Sequence, residues 1–462
     1  MLETMGWISL VPIILAIVLA LWTKNTVASL TVACIVGGFL AGNGIWGFTN
    51  ILQSALGNED FIWAALNILL FGVLVTYYEK SGAIDGFTRI VNSKNLKRKG
   101  VQVMAWALGL FCFADSMSPL FVGSVMRKLS DKAKISREKL SYIADSTAAP
   151  VSVLYPFTGW SSYLTGLAVG IGCIATRDEA FKLMLRAIPF NFYAVLSLVM
   201  VLFLSLGIMK DFGPMKSAEK RALENGKVLR DGAVPLSATV EPSSSLKERV
   251  VLNFVLPSIM LLVISIGCFI TIGSVKVLEA AMIVVLFMSI SFLIQGMKLQ
   301  ELNEMFVEGI KGAMPALLVL AVAYPLNALS GQMGTANYII NTTSQFLSPA
   351  FLPAGIFLIC AVLSFATGTS WGTFAIAMPL ALPMAYNATN NQVTLLVVAC
   401  FAAVAGGGVF GDHCSPVSDT TIMSSMGAGS DHIDHVKTQL PYAIAVAVVS
   451  VVLYLIIGMI AV

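Results

Sequence analysis

Charged residues are scarce in this sequence. Of its 462 residues, 11% are Asp, Glu, Lys or Arg, whereas 57% are hydrophobic, and the mean hydropathy is +0.85. A soluble protein covers its surface with far more charge, so this composition excludes a soluble globular fold. Apolar stretches long enough to cross a hydrocarbon core of roughly 30 Å recur along the whole chain. The sequence therefore predicts an all-α, multi-pass integral protein of the cell membrane, embedded in the lipid bilayer.

The sequence also lacks the motifs of ATP-driven pumps and of most enzymes. It contains no P-loop, no dinucleotide-binding fingerprint and no HExxH. The seven cysteines are scattered without a CxxC pair, which argues against a zinc site or a disulfide framework. Residues 368–372 match the GxSxG of serine hydrolases, but that motif requires a strand, a turn and a helix beneath a sheet. We therefore expect no enzyme activity, no cofactor and no nucleic-acid partner.

Motifs of the first half return in the second half in the same order. The segment FADSMSPLFVGSVM (113–126) corresponds to FATGTSWGTFAIAM (365–378), and DSTAAPVS (145–152) corresponds to DHCSPVS (412–418). Shorter correspondences are Ser81-Gly82 with Ser330-Gly331, and Pro189 with Pro441. Four matches in one order predict an internal duplication.

The basic residues orient the two copies. Loops 80–100 and 127–139 are rich in Lys and Arg, and short cytoplasmic loops collect these residues. The span 101–126 between them therefore leaves and returns to the same side, which predicts a re-entrant helical hairpin. Loops 330–350 and 386–391 contain no charge, as outside loops can. The second copy is therefore expected to lie inverted relative to the first.

Each repeat is thus predicted to contain about five transmembrane helices, one re-entrant hairpin and one discontinuous helix. The predicted parts are a first repeat, 1–209, with its hairpin at 101–126 and a broken helix around 145–150; a cytoplasmic linker, 210–250; and a second repeat, 251–462, with its hairpin at 351–385 and a broken helix around 406–419. We expect both termini outside. Of the 28 lysines and arginines, the exceptions that then lie outside are Arg177, Lys182, Arg186 and Lys276.

Hydroxyl side chains gather at the predicted hairpin tips and helix breaks. Breaking a helix frees backbone polar groups, and paired broken segments near the bilayer midplane point to a transporter binding site. Hard cations such as Na+ require several oxygen ligands, by the logic that selects oxygen for other hard cations. The hydroxyl candidates are Ser116, Ser118, Ser146, Thr147, Thr367, Thr369, Ser370, Ser415 and Ser418.

Acidic residues lie at the same breaks. The Na+-binding candidates are Asp115, Asp145, Asp412 and Asp419. An ionisable group inside the membrane is costly unless it is paired, hydrated or functional, so these residues predict handling of an ion or a proton. One carboxylate that binds either H+ or a cation, and never both, is the simplest antiport mechanism. Helix capping is the alternative role for these aspartates, and both roles can coexist.

The three histidines divide into two groups. His413 lies directly in the second break and is a candidate for pH sensing or substrate binding, with a structural histidine as the alternative. His432 and His435 belong to Asp-His-Ile-Asp-His, on a segment predicted to be a short inner loop. We expect these two side chains to be solvated.

Two long motifs resemble those of the NhaC family of Na+/H+ antiporters, within the wider ion transporter superfamily. They are Phe365-Ala-Thr-Gly-Thr-Ser-Trp-Gly-Thr373 and Gly411-Asp-His-Cys-Ser-Pro-Val-Ser-Asp-Thr-Thr421, and their first-repeat versions extend the resemblance over nearly the whole chain. The resemblance implies a homodimeric elevator transporter, in which hairpins and broken helices move against a static scaffold. It also implies site roles for Asp115, Ser118, Asp145, Thr369, Ser370, Asp412, Ser415 and Asp419.

The expected function is Na+/H+ antiport by alternating access. Similar members exchange Na+ and H+ against small organic acids such as malate and lactate. The alternative is therefore a Na+- or H+-coupled carrier of an amino acid or a small carboxylate. The resemblance places Asp115 where dicarboxylate carriers of the superfamily use a neutral amide, and a fixed negative charge there favours a cation. Tyr155, Trp160 and Trp371 lie beside the breaks, where they either line an organic-substrate pocket or serve packing.

Overall fold

A computed structural model describes most of the chain and shows it to be helical. The described residues are 5–23, 26–83, 86, 96–111, 118–235, 249–272, 276–335, 338, 348–416 and 418–461. Within these ranges there is no β-strand, and only an isolated bridge joins Pro235 to Asp431. The predicted all-α class is confirmed.

The helices follow one another with short connections. The first part contains α1 Val11–Thr23, α2 Thr26–Leu40, α3 Gly44–Leu56, α4 Glu59–Lys80, α5 Arg98–Phe111, α6 Ser118–Lys132, α7 Arg137–Ser146, α8 Ala149–Ser152, α9 Gly159–Ala168, α10 Arg177–Ala187 and α11 Phe192–Leu206. The linker contributes α12 Gly213–Asn225. The second part contains α13 Leu256–Ile272, α14 Val277–Ile294, α15 Leu299–Gln332, α16 Leu352–Thr367, α17 Ser370–Ala388, α18 Leu395–Cys414, α19 Asp419–Ala428 and α20 His432–Ile460.

Several of these helices are suited to a bilayer. Among the described residues, three spans are long and apolar enough to cross a membrane, namely Phe61–Tyr78, Leu395–Cys414 and His432–Ile460. The pair Arg177–Phe190 and Phe192–Leu206 adds a fourth if it is counted as one span bent by 44°. Other apolar helices are shorter, at 10–17 residues. Five crossings per repeat and the inverted arrangement therefore stay predictions.

The chain turns between α16 and α17, at the tip of the second predicted hairpin. Gly368 has a φ of +70°, a left-handed conformation that glycine adopts without a steric penalty. Thr369 then caps α17, because its side-chain oxygen accepts a hydrogen bond from the Gly372 amide. The corresponding tip in the first repeat falls on residues 112–117, which lie outside the described part of the chain.

Helix α18 packs directly against α16 because it is rich in glycine. A Cβ atom on Gly411 would lie 2.0 Å from the backbone nitrogen of Phe365, and one on Gly407 would lie 2.6 Å from the carbonyl oxygen of Phe357. The Ser364 hydroxyl donates to the carbonyl oxygen of Gly408 across the same contact. This backbone approach brings the end of α18 beside the turn between α16 and α17.

Gly411→Ala is expected to destabilise the protein by about 3 kcal/mol, because the added methyl group has no space against the α16 backbone. Gly267→Ala is the matched control, since a Cβ atom on Gly267 meets nothing within 4 Å. Thermal unfolding of both purified variants in detergent measures the difference. Equal melting temperatures for the two variants would contradict the close contact.

The linker contacts the starts of two helices, α7 and α20. Its helix α12 spans Gly213–Asn225. Arg221 Nη2 donates to both carboxylate oxygens of Glu138, at 2.8 and 2.9 Å, in the first turn of α7. Arg230 Nε donates to Asp434 at 2.7 Å, in the first turn of α20. The linker thus connects the starts of α7 and α20, two helices that are distant in sequence.

Arg221→Gln is expected to destabilise the protein by about 3 kcal/mol, because it leaves a buried carboxylate unpaired. Burial raises the pKa of Glu138, whose side chain is almost inaccessible, whereas its backbone hydrogen bond and Arg221 lower it. Losing Arg221 raises that pKa further. A carboxyl group whose pKa is higher in the folded than in the unfolded chain destabilises the fold most at pH values where the unfolded chain ionises it. The loss in the free energy of unfolding should therefore be larger at neutral than at acid pH. Thermal unfolding at both pH values measures this effect.

Glu138→Gln in the same background provides the control, because it removes the unpaired charge. The double variant should recover most of the stability lost by Arg221→Gln. If it is as unstable as the single variant, the ion pair is not the cause.

Candidate ion-binding site

Asp412 lies in the last turn of α18, and its carboxylate is surrounded by hydroxyl groups. The residue is 1% exposed. Ser370 Oγ donates to Oδ2 at 2.8 Å, Ser418 Oγ donates to Oδ1 at 2.5 Å, and Thr420 Oγ1 donates to Oδ1 at 3.3 Å. These four residues are called the Asp412 cluster below.

Two local features of the chain assemble the Asp412 cluster. The helix ends at Cys414, so the Asp412 carbonyl oxygen has no intrahelical partner and instead accepts from Thr420 at 3.1 Å and Thr421 at 2.8 Å. Ser370 reaches the carboxylate because the turn at Gly368 ends beside α18. The broken helix and the α16–α17 turn are thus joined by one carboxylate.

Each hydroxyl of the Asp412 cluster has a second polar neighbour. Ser370 Oγ also donates to the Gly408 carbonyl oxygen at 3.0 Å, and Thr420 Oγ1 donates to the Asp412 carbonyl oxygen. Ser418 Oγ lies 3.1 Å from Thr420 Oγ1. A hydroxyl has one hydrogen and two lone pairs, so each can turn its hydrogen away from the carboxylate without losing every hydrogen bond. The freed lone pairs are oxygen ligands suited to a hard cation.

Asp145 lies at the end of α7 in surroundings of a different kind. It is fully buried, and its Oδ2 accepts from Gln439 Nε2 at 3.0 Å and lies 3.1 Å from His435 Nε2. Asp145, His435 and Gln439 are called the Asp145 cluster. Its Oδ1 forms no hydrogen bond within the described ranges.

His413 lies between the two clusters. Its Nε2 is 2.8 Å from Ser146 Oγ, and its Nδ1 is 2.8 Å from the Tyr193 hydroxyl. Gln439 Nε2, which donates to Asp145, also donates to the His413 carbonyl oxygen. Because His413 follows Asp412 in the chain, the two carboxylates are linked through the backbone of His413 and one glutamine.

The other predicted site residues donate to backbone carbonyl oxygens, lie buried without a partner in the described chain, or fall outside the described residues. Ser415 Oγ donates to the Phe365 carbonyl oxygen at 2.7 Å, and Thr147 Oγ1 donates to that of Ile143 at 2.9 Å. Ser118 is buried at the start of α6, and its hydroxyl has no hydrogen-bond partner within the described chain. Asp115 and Ser116 lie outside the described residues, as do the side chains of Thr367 and Asp419.

The prediction that these two histidines are solvated is wrong for His435, whereas His432 is half-buried. His435 is fully buried against Asp145. His432 Nε2 lies 2.8 Å from the Pro416 carbonyl oxygen. The physical reason is that Asp431 caps α20 by accepting from the Ile433 and Asp434 amides, so the segment begins a long helix instead of a loop.

Gln439, Thr420 and Tyr193 were not predicted to belong to the site. One signal was present for Gln439: it follows His435 by four residues, so a helix there places both side chains on one face. Recognising the Asp431 cap would have revealed this pair.

The aromatic residues beside the breaks pack against one another. The rings of Trp160 and Trp371 lie 5.2 Å apart, and both side chains are buried. The Tyr163 hydroxyl donates to the Trp371 carbonyl oxygen at 3.0 Å. The structure therefore supports packing as the role of this tryptophan pair.

Comparison with known proteins identifies relatives over different lengths. An uncharacterized protein of Haemophilus influenzae is 33% identical over 97% of this chain and 90% of its own. The malate-2H+/Na+-lactate antiporter of Bacillus subtilis is 29% identical over 35% of this chain and 34% of its own. The Na+/H+ antiporter NhaC of Alkalihalophilus pseudofirmus is 27% identical over 34% of this chain and 33% of its own.

A solved structure and a family model complete the comparison. The YdaH transporter of Alcanivorax borkumensis matches 89% of this chain and 89% of its own, with a TM-score of 0.56 and 12% identity, a likeness of fold alone. The model of the Na+/H+ antiporter family matches residues 151–459, which include both carboxylates' partners on α17 to α20. This match confirms the predicted family and the expectation of a transporter rather than an enzyme. The chain belongs to the Na+/H+ antiporter family.

Proposed function

We propose that this protein is a secondary active transporter that exchanges Na+ for H+ across the cell membrane by alternating access. The observation that carries the proposal is the Asp412 cluster, a buried carboxylate whose three hydroxyl partners each have a second polar neighbour. Such a group of oxygens can exchange hydrogen bonds for bonds to a cation. Family membership supports the choice of Na+ and H+ as the two ions.

Na+ binding follows from the contacts of the Asp412 cluster. As Na+ approaches, Ser370 and Thr420 turn their hydrogens toward the carbonyl oxygens of Gly408 and Asp412 and direct lone pairs to the ion. The ionised carboxylate compensates the charge of Na+ in a region that excludes water. Protonation of the carboxyl removes that charge, so Na+ and H+ compete.

Asp145 is better suited to carry the proton. Its Oδ2 partners are nitrogen atoms of Gln439 and His435, and an amide NH2 group has no lone pair for Na+. The hydrogen bond from Gln439 to the His413 carbonyl oxygen offers a path by which protonation of Asp145 affects Asp412. Asp115 and Asp419 remain predicted Na+ ligands.

The finer architecture belongs to the same proposal. We infer two inverted repeats, with re-entrant hairpins at 101–126 and 351–385, moving as an elevator against a static scaffold in a homodimer with both termini outside. The distribution of basic residues and the repeated motifs support it. The breaks between α7 and α8 and between α18 and α19 provide the polar backbone that an ion site needs.

Proteoliposomes loaded with Na+ and a pH dye, without organic solute, test the proposal. Diluting them into Na+-free medium should acidify the lumen, because each departing Na+ brings H+ inward. If the dye reports no pH change until malate, lactate or an amino acid is added, the result would favour the alternative of a coupled organic-solute carrier. That alternative has a basis in the Bacillus subtilis relative, named as a malate and lactate antiporter.

A further inference from the structure

An apolar groove of about 340 Å³ lies beside the second predicted hairpin, between α1 and the two hairpin arms, α16 and α17. We propose that this groove binds one acyl chain of a membrane lipid. Every described residue that lines it is apolar. This lipid site goes beyond the proposed antiport, and it depends on the proposed topology only for the leaflet from which the lipid comes.

The groove exists because small residues stand among large apolar ones. Gly355 on α16 has no side chain, and Ala377 and Ala381 on α17 each carry only a methyl group. A Cβ atom on Gly355 would meet nothing within 4 Å. The space beside this glycine is therefore open, and a ligand can occupy it.

The groove is a recess and not part of a flat surface. It is lined by buried side chains, such as Cys360 and Leu363 at 1% and 2% exposure, and by exposed ones, such as Ile14 and Ile359 at 53% and 60%. The buried lining residues indicate depth. The exposed ones are apolar and belong to the apolar helices α1 and α16, so the groove is continuous with the surface that faces lipid.

The length of the groove matches one leaflet of a bilayer. Along α16 it extends from Phe351, beside the start of the helix, to Leu363, near the turn at Gly368. This part of the helix rises about 18 Å, and one leaflet of a hydrocarbon core of roughly 30 Å is about 15 Å deep. Under the proposed topology, Phe351 follows the outside loop 330–350, so the acyl chain comes from the outer leaflet.

The lining excludes ligands that depend on polar recognition. The groove offers no hydroxyl, amide or charged side chain among its described residues, so a polar solute would lose its hydrogen bonds to water on entry. Lipid surrounds this part of the protein, and an unfilled apolar recess forfeits dispersion contacts along its walls. An acyl chain fills the recess without losing hydrogen bonds, while its head group stays at the membrane surface.

An acyl chain in the groove would contact three helices at once. Ile13 and Ile14 of α1 form one wall, and α16 and α17 form the other. The turn that joins α16 to α17 also brings Ser370 to Asp412. The lipid therefore contributes to the packing of the hairpin against α1, so the stability of the folded protein should depend on it.

Photolabelling of the full-length protein in nanodiscs tests this site. The nanodiscs contain phosphatidylethanolamine with a photoreactive diazirine in one acyl chain, and mass spectrometry of the digested protein locates the label. We expect label on α17 between Ile376 and Met384. Gly355→Phe should lower this labelling at least about fivefold, because the added ring occupies the groove, and Gly355→Leu should lower it less.

Gly267→Phe is the matched control. A Cβ atom on Gly267 also meets nothing within 4 Å, but this glycine lies on α13, which contributes no described lining residue. It should leave the labelling of α17 unchanged. Thermal unfolding gives a second readout: adding phosphatidylethanolamine to delipidated protein in detergent should raise the melting temperature of the unmodified protein by about 2 °C more than that of Gly355→Phe.

Equal labelling of α17 in Gly355→Phe and the unmodified protein would overturn the lipid site, as would an equal loss of labelling in Gly267→Phe. A Gly355→Phe variant that changes from dimer to monomer while its labelling stays the same would identify a second copy of the protein as the occupant, which also overturns it. Neither readout involves ion flux. Loss of the lipid site would therefore leave the proposed antiport standing, and an absence of Na+/H+ exchange would leave the lipid site standing.

Discussion

Asp412→Asn is expected to lower Na+ transport about 100-fold or more, since a cation in a buried site without a counter-charge loses several kcal/mol. Asparagine has the shape of aspartate, and its amide oxygen can still accept from Ser418 or Ser370. The folded structure should therefore survive while Na+ affinity is lost. Uptake of radioactive Na+ by proteoliposomes and Na+ binding to the purified protein measure the two effects.

Removing a hydroxyl partner of Asp412 should weaken Na+ binding less than removing its charge. Ser370→Ala and Ser418→Ala each remove one oxygen but keep the charge, so each should weaken Na+ binding by about tenfold. Asp231→Asn is the control, because this aspartate is exposed in the linker and pairs with Lys227. Normal Na+ flux in a well-folded Asp412→Asn variant would eliminate the Asp412 cluster as the Na+ site.

The location of the Asp412 cluster was predictable from sequence because its causes are local. The helix end at Cys414 and the turn at Gly368 coincide with runs of small residues that can be read from the sequence. Small residues permit close backbone contact, and an aspartate in an apolar segment signals function. If the α16–α17 turn is assumed to meet the end of α18, those features also predict that Ser370 lies beside Asp412.

The Asp145 cluster was not predictable in the same way. Asp145 meets His435 and Gln439 only because α7 packs beside α20, a contact between segments 290 residues apart in the chain. A short polar segment with two histidines and two aspartates has the composition of a loop. The Asp431 cap, which converts it into a helix, depends on two backbone hydrogen bonds that composition alone does not reveal.

The role of the linker was also hidden from sequence. Its mixed charges are typical of a solvated connector, and each isolated surface pair stabilises little. Glu138 changes this conclusion, because it is buried and its partner Arg221 comes from the linker. Burial depends on the tertiary fold, so the same residues read along the chain carry no indication of it.

Asp145→Asn is expected to remove most of the Na+-driven proton movement while leaving Na+ binding nearly intact. The asparagine oxygen can still accept from Gln439, so the contact between α7 and α20 should persist, but the site can no longer gain and lose a proton. The lumenal pH dye reports proton flux, and Na+ binding to the purified protein reports the Asp412 cluster. Na+ binding should also become less dependent on pH, because H+ can then compete only at Asp412.

The comparison of the two variants decides between one shared site and two linked sites. With two sites, Asp412→Asn loses Na+ binding and proton flux together, whereas Asp145→Asn loses most of its proton flux and keeps its Na+ binding. Equal loss of Na+ binding in both variants would mean that the carboxylates hold the ion jointly. The hydrogen bonds favour two sites, because Asp412 Oδ1 and Oδ2 meet hydroxyl oxygens whereas Asp145 Oδ2 meets nitrogen. Gln439, which donates to both Asp145 and the His413 carbonyl oxygen, would then couple the two ions.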